Sequence, residues 1–329
     1  MGVSALLALS AAPSLHRYEF EQPHMGTLFR VVLYAADVSL AQSASRGAFE
    51  RIAELDGRLS DYRSDSELSR VVREAGEAPV AISEDLFEVL SISQAFAIRT
   101  RGAFDVTSGA VTRLWRRARR LNELPEDRQL SAATAASGYR FLRLDPAART
   151  VRLERSGMQL DLGGIGKGYA ADRALERLRQ AGISRALVAA GGDVVAGDPP
   201  PDADAWDVVL AGWNGGALGE RALRLSRAAV STSGDLEQWL EVDGVRYSHI
   251  VDPRTGQALT RRRLVSALAP DATTSDMLAT AASVMEDDQA VRLADETPGA
   301  AILMWIRDEA SGPRPVMSQR WPNRQMANR

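Results

Sequence analysis

The segment formed by residues 160–169 carries the clearest chemical potential in the sequence. It reads Leu-Asp-Leu-Gly-Gly-Ile-Gly-Lys-Gly-Tyr and predicts a strand that passes through glycines into a helix. Glycines let the backbone approach a phosphate closely, and a helix N-terminus adds N–H donors and the positive end of a dipole. Lys167 contributes a compact positive charge. It is the only lysine among 40 basic residues, which favours a role that arginine cannot imitate.

Known phosphate-binding patterns match this segment only partly. The P-loop pattern fails because Lys167 is followed by Gly168 and not by Ser or Thr. The run from Gly166 to Ala171 fits the loose dinucleotide fingerprint, but it lies outside a clear βαβ alternation. A glycine-rich helix start that merely permits tight packing therefore remains an alternative.

Two further segments offer polar groups. His249, one of three histidines, ends a predicted strand before a Pro/Gly turn and could serve as acid, base or phosphate partner. A strand-end histidine bonded to the backbone is the alternative. Asp276 and Thr280 lie four apart on a predicted helix and share a face, where their hard oxygens suit Mg²⁺ or Ca²⁺. A first-turn aspartate and a back-bonded threonine would explain the pair equally well.

The composition removes several classes of function. With 329 residues, 45% hydrophobic content and a net charge of −3, the chain is typical of a globular protein and does not suggest a nucleic-acid surface. The absence of cysteine excludes disulfides, thiolate nucleophiles, iron–sulfur clusters and a lipid-anchored N-terminal cysteine. No stretch after the N-terminus is long and apolar enough to predict a membrane span.

The elements predicted around these residues mix strands and helices without steady βαβ alternation. This favours an α+β fold with a largely antiparallel sheet core, packed helices and a single compact unit. We predict three regions: residues 1–17 as the remnant of a signal segment or a disordered N-terminus, 18–306 as the functional domain, and 307–329 as a loose polar tail. The predicted strands are 18–36, 139–144, 151–154, 158–162, 186–190, 206–210, 229–232, 264–269 and 301–306. A hairpin spans 239–251 and turns on Asp243-Gly244. Helices are predicted over 39–59, from Ser66, and over 83–100, 169–181, 275–285 and 288–296.

Taken together and in order, these motifs resemble the FAD:protein FMN transferase (ApbE) family. The resemblance spans residues 18–306 and rests on Met25-Gly26-Thr27, Ser60-x-Tyr62, Ser66-Glu67-Leu68-Ser69, Gly102-Ala103-Phe104-Asp105-Val106-Thr107, residues 161–169, Gly191-Gly192-Asp193, Ser231-Thr232-Ser233-Gly234, Ser248-His249-Ile250-x-Asp252-Pro253-x-Thr255-Gly256 and Ser275-Asp276-x-x-x-Thr280. Two positions depart from the family pattern. Gly166 replaces a more usual alanine, and the absent lipid-attachment cysteine removes the expectation of a lipoprotein.

The resemblance implies a T-fold-like domain that uses FAD as substrate and Mg²⁺ as cofactor. Implied FAD-binding residues are Met25, Tyr62, Ala103, Phe104, Asp105, Asp161, Lys167 and His249. The implied Mg²⁺ ligands are the Gly164 carbonyl, Asp276 and Thr280. In the implied reaction, an acceptor Ser or Thr hydroxyl attacks the FMN phosphorus of FAD and AMP leaves. Our hypothesis is that His249, or a carboxylate such as Asp105, deprotonates that hydroxyl.

Partners and compartment follow from the same resemblance. The expected acceptor is a flavoprotein subunit or domain with an Asp-Gly-x-Thr/Ser target, and neither nucleic acid nor an integral membrane span is expected. The periplasm is the expected compartment, with the cytoplasm as the alternative. The alternative functions are an FAD-binding carrier, an FAD pyrophosphatase without a protein acceptor and, on residues 166–171 alone, a nicotinamide-dependent oxidoreductase.

Overall fold

The computed structural model describes residues 14–210, 221–234, 238–308 and 312–322. The first thirteen residues of the predicted signal remnant and residues 309–311 and 323–329 of the predicted tail lie outside the described residues. The strands are β1 His16–His24, β2 Thr27–Ala35, β3 Val80–Ala81, β4 Leu142–Asp145, β5 Thr150–Leu153, β6 Ala186–Ala190, β7 Asp193–Ala196, β8 Trp206–Leu210, β9 Arg221–Leu225, β10 Ala228–Gly234, β11 Trp239–Val242, β12 Val245–Ser248, β13 Arg262–Ala269, β14 Ala301–Asp308 and β15 Gly312–Met317. The helices are α1 Val38–Leu59, α2 Glu67–Glu74, α3 Glu84–Arg99, α4 Gly109–Leu121, α5 Asp127–Ala136, α6 Gly166–Gln180, α7 Ala272–Val284 and α8 Asp287–Glu296.

Eight strands form the central sheet in the order β1-β2-β6-β7-β10-β13-β14-β15. Every neighbouring pair in this sheet is antiparallel. Smaller units stand beside it, namely the sheet β3-β5-β4 and the hairpins β8-β9 and β11-β12. The predicted α+β fold with a largely antiparallel core is therefore confirmed. Within the described residues, no helix is long and apolar enough to cross a membrane.

Alternation along the strands divides the apolar residues between two cores. In β2, Val31 and Leu33 join the large core while Val32 joins a smaller one, because successive side chains of a strand point to opposite faces. Helices α1, α6 and α7 pack over the face of the large core. Burying one Leu or Val there contributes about 1.5–3 kcal/mol. As a result, α6 and α7 lie side by side over β7 and β10, where the candidate site forms.

Several sequence predictions about helix ends and turns agree with the structure. Ser66 and Ser83 are the N-caps of α2 and α3, and each hydroxyl accepts a hydrogen bond from a backbone N–H three residues later. Asp243 and Gly244 have φ values of 51° and 76°, as a type I′ hairpin turn requires. The helix predicted from residue 39 begins at Val38 instead, because Asp37 caps α1 and accepts from Leu40 N.

Other predictions are corrected by the structure. The single strand predicted over 18–36 is the hairpin β1-β2, since Met25 and Gly26 take positive φ values of 49° and 73°. The strand predicted over 158–162 does not form, and Gln159 makes only an isolated bridge to Ser108. Strands β3, β7, β9 and β15 were not predicted. The tail from residue 307 is not loose throughout, because β15 pairs with β14 and Trp321 is 2% exposed.

Candidate functional site

Lys167 stands between two buried carboxylates, and we call Lys167, Asp193 and Asp276 the Lys167 cluster. The ammonium lies 2.8 Å from Asp193 Oδ2 and 3.5 Å from Asp276 Oδ2. Each aspartate is 2% exposed. Asp193 opens β7, and Lys167 and Asp276 lie in the first turns of α6 and α7. Roles for Lys167 and Asp276 were predicted from the sequence. No role was predicted for Asp193, although it belongs to the motif Gly191-Gly192-Asp193.

One glycine and one aspartate of α6 bring this helix against α7. A Cβ at Gly168 would overlap the carbonyl oxygen of Ala272, so only glycine allows this approach. Asp172 of α6 accepts hydrogen bonds from the backbone N–H groups of Ala272 and Thr273, both at 2.8 Å, and from the Thr273 hydroxyl at 2.6 Å. The N-terminus of α7 is therefore held by a carboxylate on the neighbouring helix.

The three predicted metal ligands meet at this junction. A Cβ at Gly164 would lie 2.9 Å from Thr280 Oγ1, so the glycine backbone and the hydroxyl are close neighbours. Thr280 lies one helical turn after Asp276 on α7, and Asp276 Oδ2 accepts from Gly168 N at 3.2 Å. The structure therefore places Gly164 beside Thr280, one helical turn along α7 from Asp276.

The electrostatics of the Lys167 cluster suit a bound cation. When all three groups are ionised the cluster carries one net negative charge, and burial together with the Asp193 charge raises the pKa of Asp276 above its usual range. Although burial opposes it, the two carboxylates hold the pKa of Lys167 above its ordinary value. Asp193 Oδ2 is buried, and its contact in the described residues is the 2.8 Å ion pair with Lys167, which is not aligned as a hydrogen bond. A buried carboxylate oxygen in that state is a natural ligand for a hard cation.

The donor set restricts how such a cation is held. Across the described ranges, no three His, Cys, Asp or Glu side chains gather into a metal-binding group. Two carboxylates are near each other here, so a metal would need hydroxyl or carbonyl oxygens as well. Thr280 and the Gly164 carbonyl are such oxygens, and oxygen-only ligation is the preference of Mg²⁺ and Ca²⁺. The residues present fit the implied ion.

A second cluster forms at the other end of residues 161–166, which we call the glycine loop. Its members are Arg116, Asp61 and Asp161, and we call it the Arg116 cluster. Arg116 of α4 bonds Asp161 Oδ2 at 2.7 Å and also pairs with Asp61. Its guanidinium carbon lies 4.5 Å from the centre of the Tyr62 ring, which is 74% exposed. Burial and the Asp161 charge raise the pKa of Asp61. Tyr62 is therefore a supported, accessible aromatic face.

Asp161 links the two clusters. Its Oδ1 accepts from Gly163 N at 2.8 Å, and its Oδ2 also accepts from the Thr112 hydroxyl at 2.6 Å. These bonds shape the loop that continues through Gly164 to Lys167. Asp161 and Tyr62 were predicted as site residues. Arg116 and Thr112 were not, because nothing along the chain shows that α4 crosses this loop.

Both carboxylate oxygens of Asp105 accept hydrogen bonds that hold a loop in place, so neither is free to act as a base. Its Oδ1 accepts from the Thr107 backbone and hydroxyl at 2.9 and 2.7 Å, and its Oδ2 accepts from Tyr139 N at 2.7 Å. Burial raises its pKa. The neighbouring Ala103 and Phe104 side chains are buried as well, and Phe104 lies against Gly164. This geometry counts against a catalytic role for Asp105 and favours a role in supporting the glycine loop.

His249 follows β12 on a segment that is anchored to α4. Its Nδ1 lies 3.2 Å from the Gln238 carbonyl oxygen, which can only accept, so the ring donates through Nδ1. In the neutral ring Nε2 is then the unprotonated nitrogen, the form that a general base needs. The Trp115 indole of α4 donates to the Gly256 carbonyl at 2.9 Å and fixes the turn that follows His249.

Met25 occupies the β1-β2 turn and packs partly against the large core. The next residue but one, Thr27, lies beside Gly191, where a Cβ would meet Thr27 Oγ1 at 3.0 Å. This contact brings the β1-β2 turn close to the Gly191-Gly192-Asp193 turn, and so to the residue that opens β7. The structure thus connects Met25 with the side of the site that Asp193 forms.

Taken as a whole, the site defines a class of protein. Buried oxygen donors, a single ammonium, a helix N-terminus and an exposed aromatic ring are the parts expected of an enzyme that binds a phosphate-bearing ligand with a flat ring. The family model described as the ApbE family matches residues 25–304. The chain therefore belongs to the ApbE family, and the family and fold predicted from the motifs are confirmed.

Named relatives agree with this membership. The chain is 34% identical over 304 residues to the FAD:protein FMN transferase of Treponema pallidum, covering 87% of this chain and 83% of that protein. The solved flavin transferase ApbE from Vibrio cholerae is similar with a TM-score of 0.82 and 26% identity, covering 93% and 98% of the two chains. The solved apo form of the flavinyl transferase ApbE from Pseudomonas stutzeri is similar with a TM-score of 0.82 and 26% identity, and the match covers 93% of this chain and 95% of that chain.

Proposed function

We propose that this protein is an FAD:protein FMN transferase. The observation that carries the proposal is the Lys167 cluster beside Gly164 and Thr280, in a chain that belongs to the ApbE family. Cleaving a pyrophosphate builds negative charge on its oxygens, and this site concentrates groups that could neutralise it. The substrate class and the protein acceptor follow from the names of the relatives.

Mg²⁺ is the cofactor that we propose. Asp276, Thr280 and the Gly164 carbonyl would hold it, with Asp193 as a further carboxylate close by. When bound, the ion would supply positive charge at the pyrophosphate. Lys167, now held between two carboxylates, would share Asp193 and Asp276 with the ion and direct its ammonium to a phosphate oxygen.

The remaining residues bind the flavin and move one proton. We place the flat ring system of FAD toward Tyr62, whose ring Arg116 supports. The acceptor hydroxyl attacks the FMN phosphorus, the bond from that phosphorus to the bridging oxygen breaks, and AMP leaves with the bridging oxygen. The proton of the hydroxyl passes to Nε2 of His249, which Nδ1 donation to Gln238 leaves unprotonated.

A mass-spectrometric assay tests the proposal. The protein is incubated with FAD, Mg²⁺ and a flavoprotein domain that carries an Asp-Gly-x-Thr/Ser target, with and without EDTA. We expect the acceptor to gain one FMN, one AMP to appear for each FMN attached, and both signals to vanish with EDTA. Intact FAD under every metal condition would indicate a carrier instead. AMP and free FMN without a labelled acceptor would indicate a pyrophosphatase.

Two properties stay proposals that rest on the family. We propose that the acceptor is a flavoprotein subunit or domain, and that the protein works in the periplasm, with the cytoplasm as the alternative. Fractionation of cells that express the full-length protein, followed by immunoblotting, distinguishes the two compartments.

A further inference from the structure

Helix α4 presents a line of arginines to solvent. Arg113, Arg117 and Arg120 follow i, i+4 and i+7 spacing, which places them within about 60° of one another around the helix. All three are exposed, and we call them the arginine face. The sequence of α4 contains no Asp or Glu. Within the described residues, none of the three forms a salt bridge.

The arginine face borders the flank of α4 that faces the candidate site. The opposite side of the helix, formed by Val111, Trp115 and Ala118, is buried. Between these two sides lie Thr112 and Arg116, which bond Asp161. The arginine face therefore continues outward from the residues that hold Asp161 and Tyr62.

The stability of α4 accounts for only one of the three arginines in the arginine face. A cation near a helix C-terminus interacts favourably with the helix dipole, and Arg120 lies in the last turn of α4. Arg113 and Arg117 lie before that turn and gain little from the dipole. As like charges four residues apart, they cost a few tenths of a kcal/mol. The pKa of the neighbouring Arg119 is lowered, first by burial and then by the charge of Arg116, so α4 gains no stability from gathering these cations.

The charge of the face contrasts with that of the whole chain. The full sequence carries a net charge of −3, so a positive helix face is a local exception. Patches of this kind steer partners of opposite charge and act mainly on the rate of encounter. The face adjoins Arg116, which supports the Tyr62 ring, so the relevant partner is one that must reach this site in order to react.

We propose that the arginine face docks an acidic segment of the acceptor protein and orients its target hydroxyl toward the side of the site formed by Tyr62 and Arg116. The proposal rests on the proposed function, because it assumes a protein acceptor. It adds a recognition surface outside the residues that bind FAD. The partner is defined by its chemistry, as a protein whose target Ser or Thr lies near exposed Asp and Glu side chains.

The test compares two triple variants with the same change in charge. The first is Arg113→Gln, Arg117→Gln and Arg120→Gln. The matched control is Arg46→Gln, Arg152→Gln and Arg179→Gln, three exposed arginines on other elements. Transfer of FMN from FAD to the target-motif domain is measured at increasing acceptor concentration, increasing FAD concentration and from 50 to 500 mM NaCl.

We expect the first triple variant to raise KM for the acceptor about tenfold while KM for FAD stays unchanged, and to flatten the salt dependence that the wild type shows. The control variant should keep both KM values and the salt dependence. Poly-L-glutamate should inhibit the wild type and not the first triple variant. Thermal unfolding of both variants and of the single variant Arg117→Gln confirms that folding is intact.

Each other outcome overturns a defined statement. An unchanged KM for the acceptor in an active enzyme overturns the docking proposal and leaves the proposed function in place. A raised KM for FAD assigns the arginines to FAD binding and also overturns it. A wild-type protein that transfers no FMN overturns the proposed function itself, and the docking proposal falls with it.

Discussion

The Lys167 cluster and the Arg116 cluster each place one cation between two aspartates, yet they are built for different tasks. In the first, the aspartates lie on regular elements, at the start of β7 and in the first turns of α7. In the second, Asp61 and Asp161 lie on loops, and the cation comes from the middle of α4. Both clusters carry one net negative charge when fully ionised.

The difference lies in the cation. An ammonium is a compact charge on a flexible stem, so it can move when a metal ion or a phosphate competes for its partners. A guanidinium is a planar fork that holds two carboxylates in a set geometry and stacks on an aromatic ring, as Arg116 does on Tyr62. The same net charge can therefore be built around a cation that is able to move or around one that fixes its neighbours in place.

The largest effect is expected at the buried carboxylate of the Lys167 cluster. Asp276→Asn keeps the size of the side chain and an acceptor for Gly168 N, but it removes the negative charge that would hold a cation. We expect kcat/KM for FMN transfer to fall about 1,000-fold. Steady-state kinetics over a range of Mg²⁺ concentrations checks this, with Asp288→Asn on the exposed part of α8 as the control. An unchanged Mg²⁺ dependence in Asp276→Asn would remove Asp276 from the metal site.

Exchanging the cations tests the comparison directly. Lys167→Arg keeps the charge but introduces a larger planar group into a junction where α6 and α7 touch. We expect transfer to fall about 100-fold, because the fork cannot leave the carboxylates in the way that an ammonium can. Rates at saturating FAD and Mg²⁺ measure it. Wild-type rates in Lys167→Arg would mean that only the charge matters at this position.

The reverse exchange, from arginine to lysine in the Arg116 cluster, should lower FMN transfer less. Arg116→Lys keeps one ion pair, loses the fork and weakens the support of the Tyr62 ring. We expect KM for FAD to rise about tenfold while kcat changes little, since we assign this cluster to FAD binding and not to the chemical step. Separate determination of KM and kcat checks this. A fall in kcat alone would contradict the assignment of this cluster to binding.

The smallest effect concerns the packing beneath the Lys167 cluster. Burial raises the pKa of Asp172 from 3.8 to about 6, so the folded protein binds this proton more tightly than the unfolded chain does. The contribution to the free energy of unfolding is therefore most favourable below pH 4 and is lost as pH rises through 6. Because Asp172 is partly exposed, we expect a loss of only about 1–2 kcal/mol. Urea unfolding from pH 4 to 8 measures it, and Asp172→Asn should lack the slope.

The residues of the two clusters differ in how well the sequence predicted them. Lys167 was recognisable because it is the only lysine and lies among glycines, and Asp276 and Thr280 because helical spacing places them on one face. Arg116 was not recognisable, since it is one of five arginines within α4 and nothing local distinguishes it. Asp105 was recognised as part of a motif, but its loop-bracing role depends on a contact with Tyr139, which lies 34 residues further along the chain.

What the sequence alone determined is what short-range physics controls. Glycine placement, helix capping by Ser66 and Ser83, the Asp243-Gly244 turn and the shared face of Asp276 and Thr280 each depend on a few neighbouring residues. Tertiary structure decided the pairing of Lys167 with Asp193, the crossing of α4 over the glycine loop and the pairing of β15 with β14. These features depend on which distant surfaces meet when the two cores form. The local pattern of residues does not determine which distant surfaces pack together, because the same pattern is compatible with many tertiary arrangements.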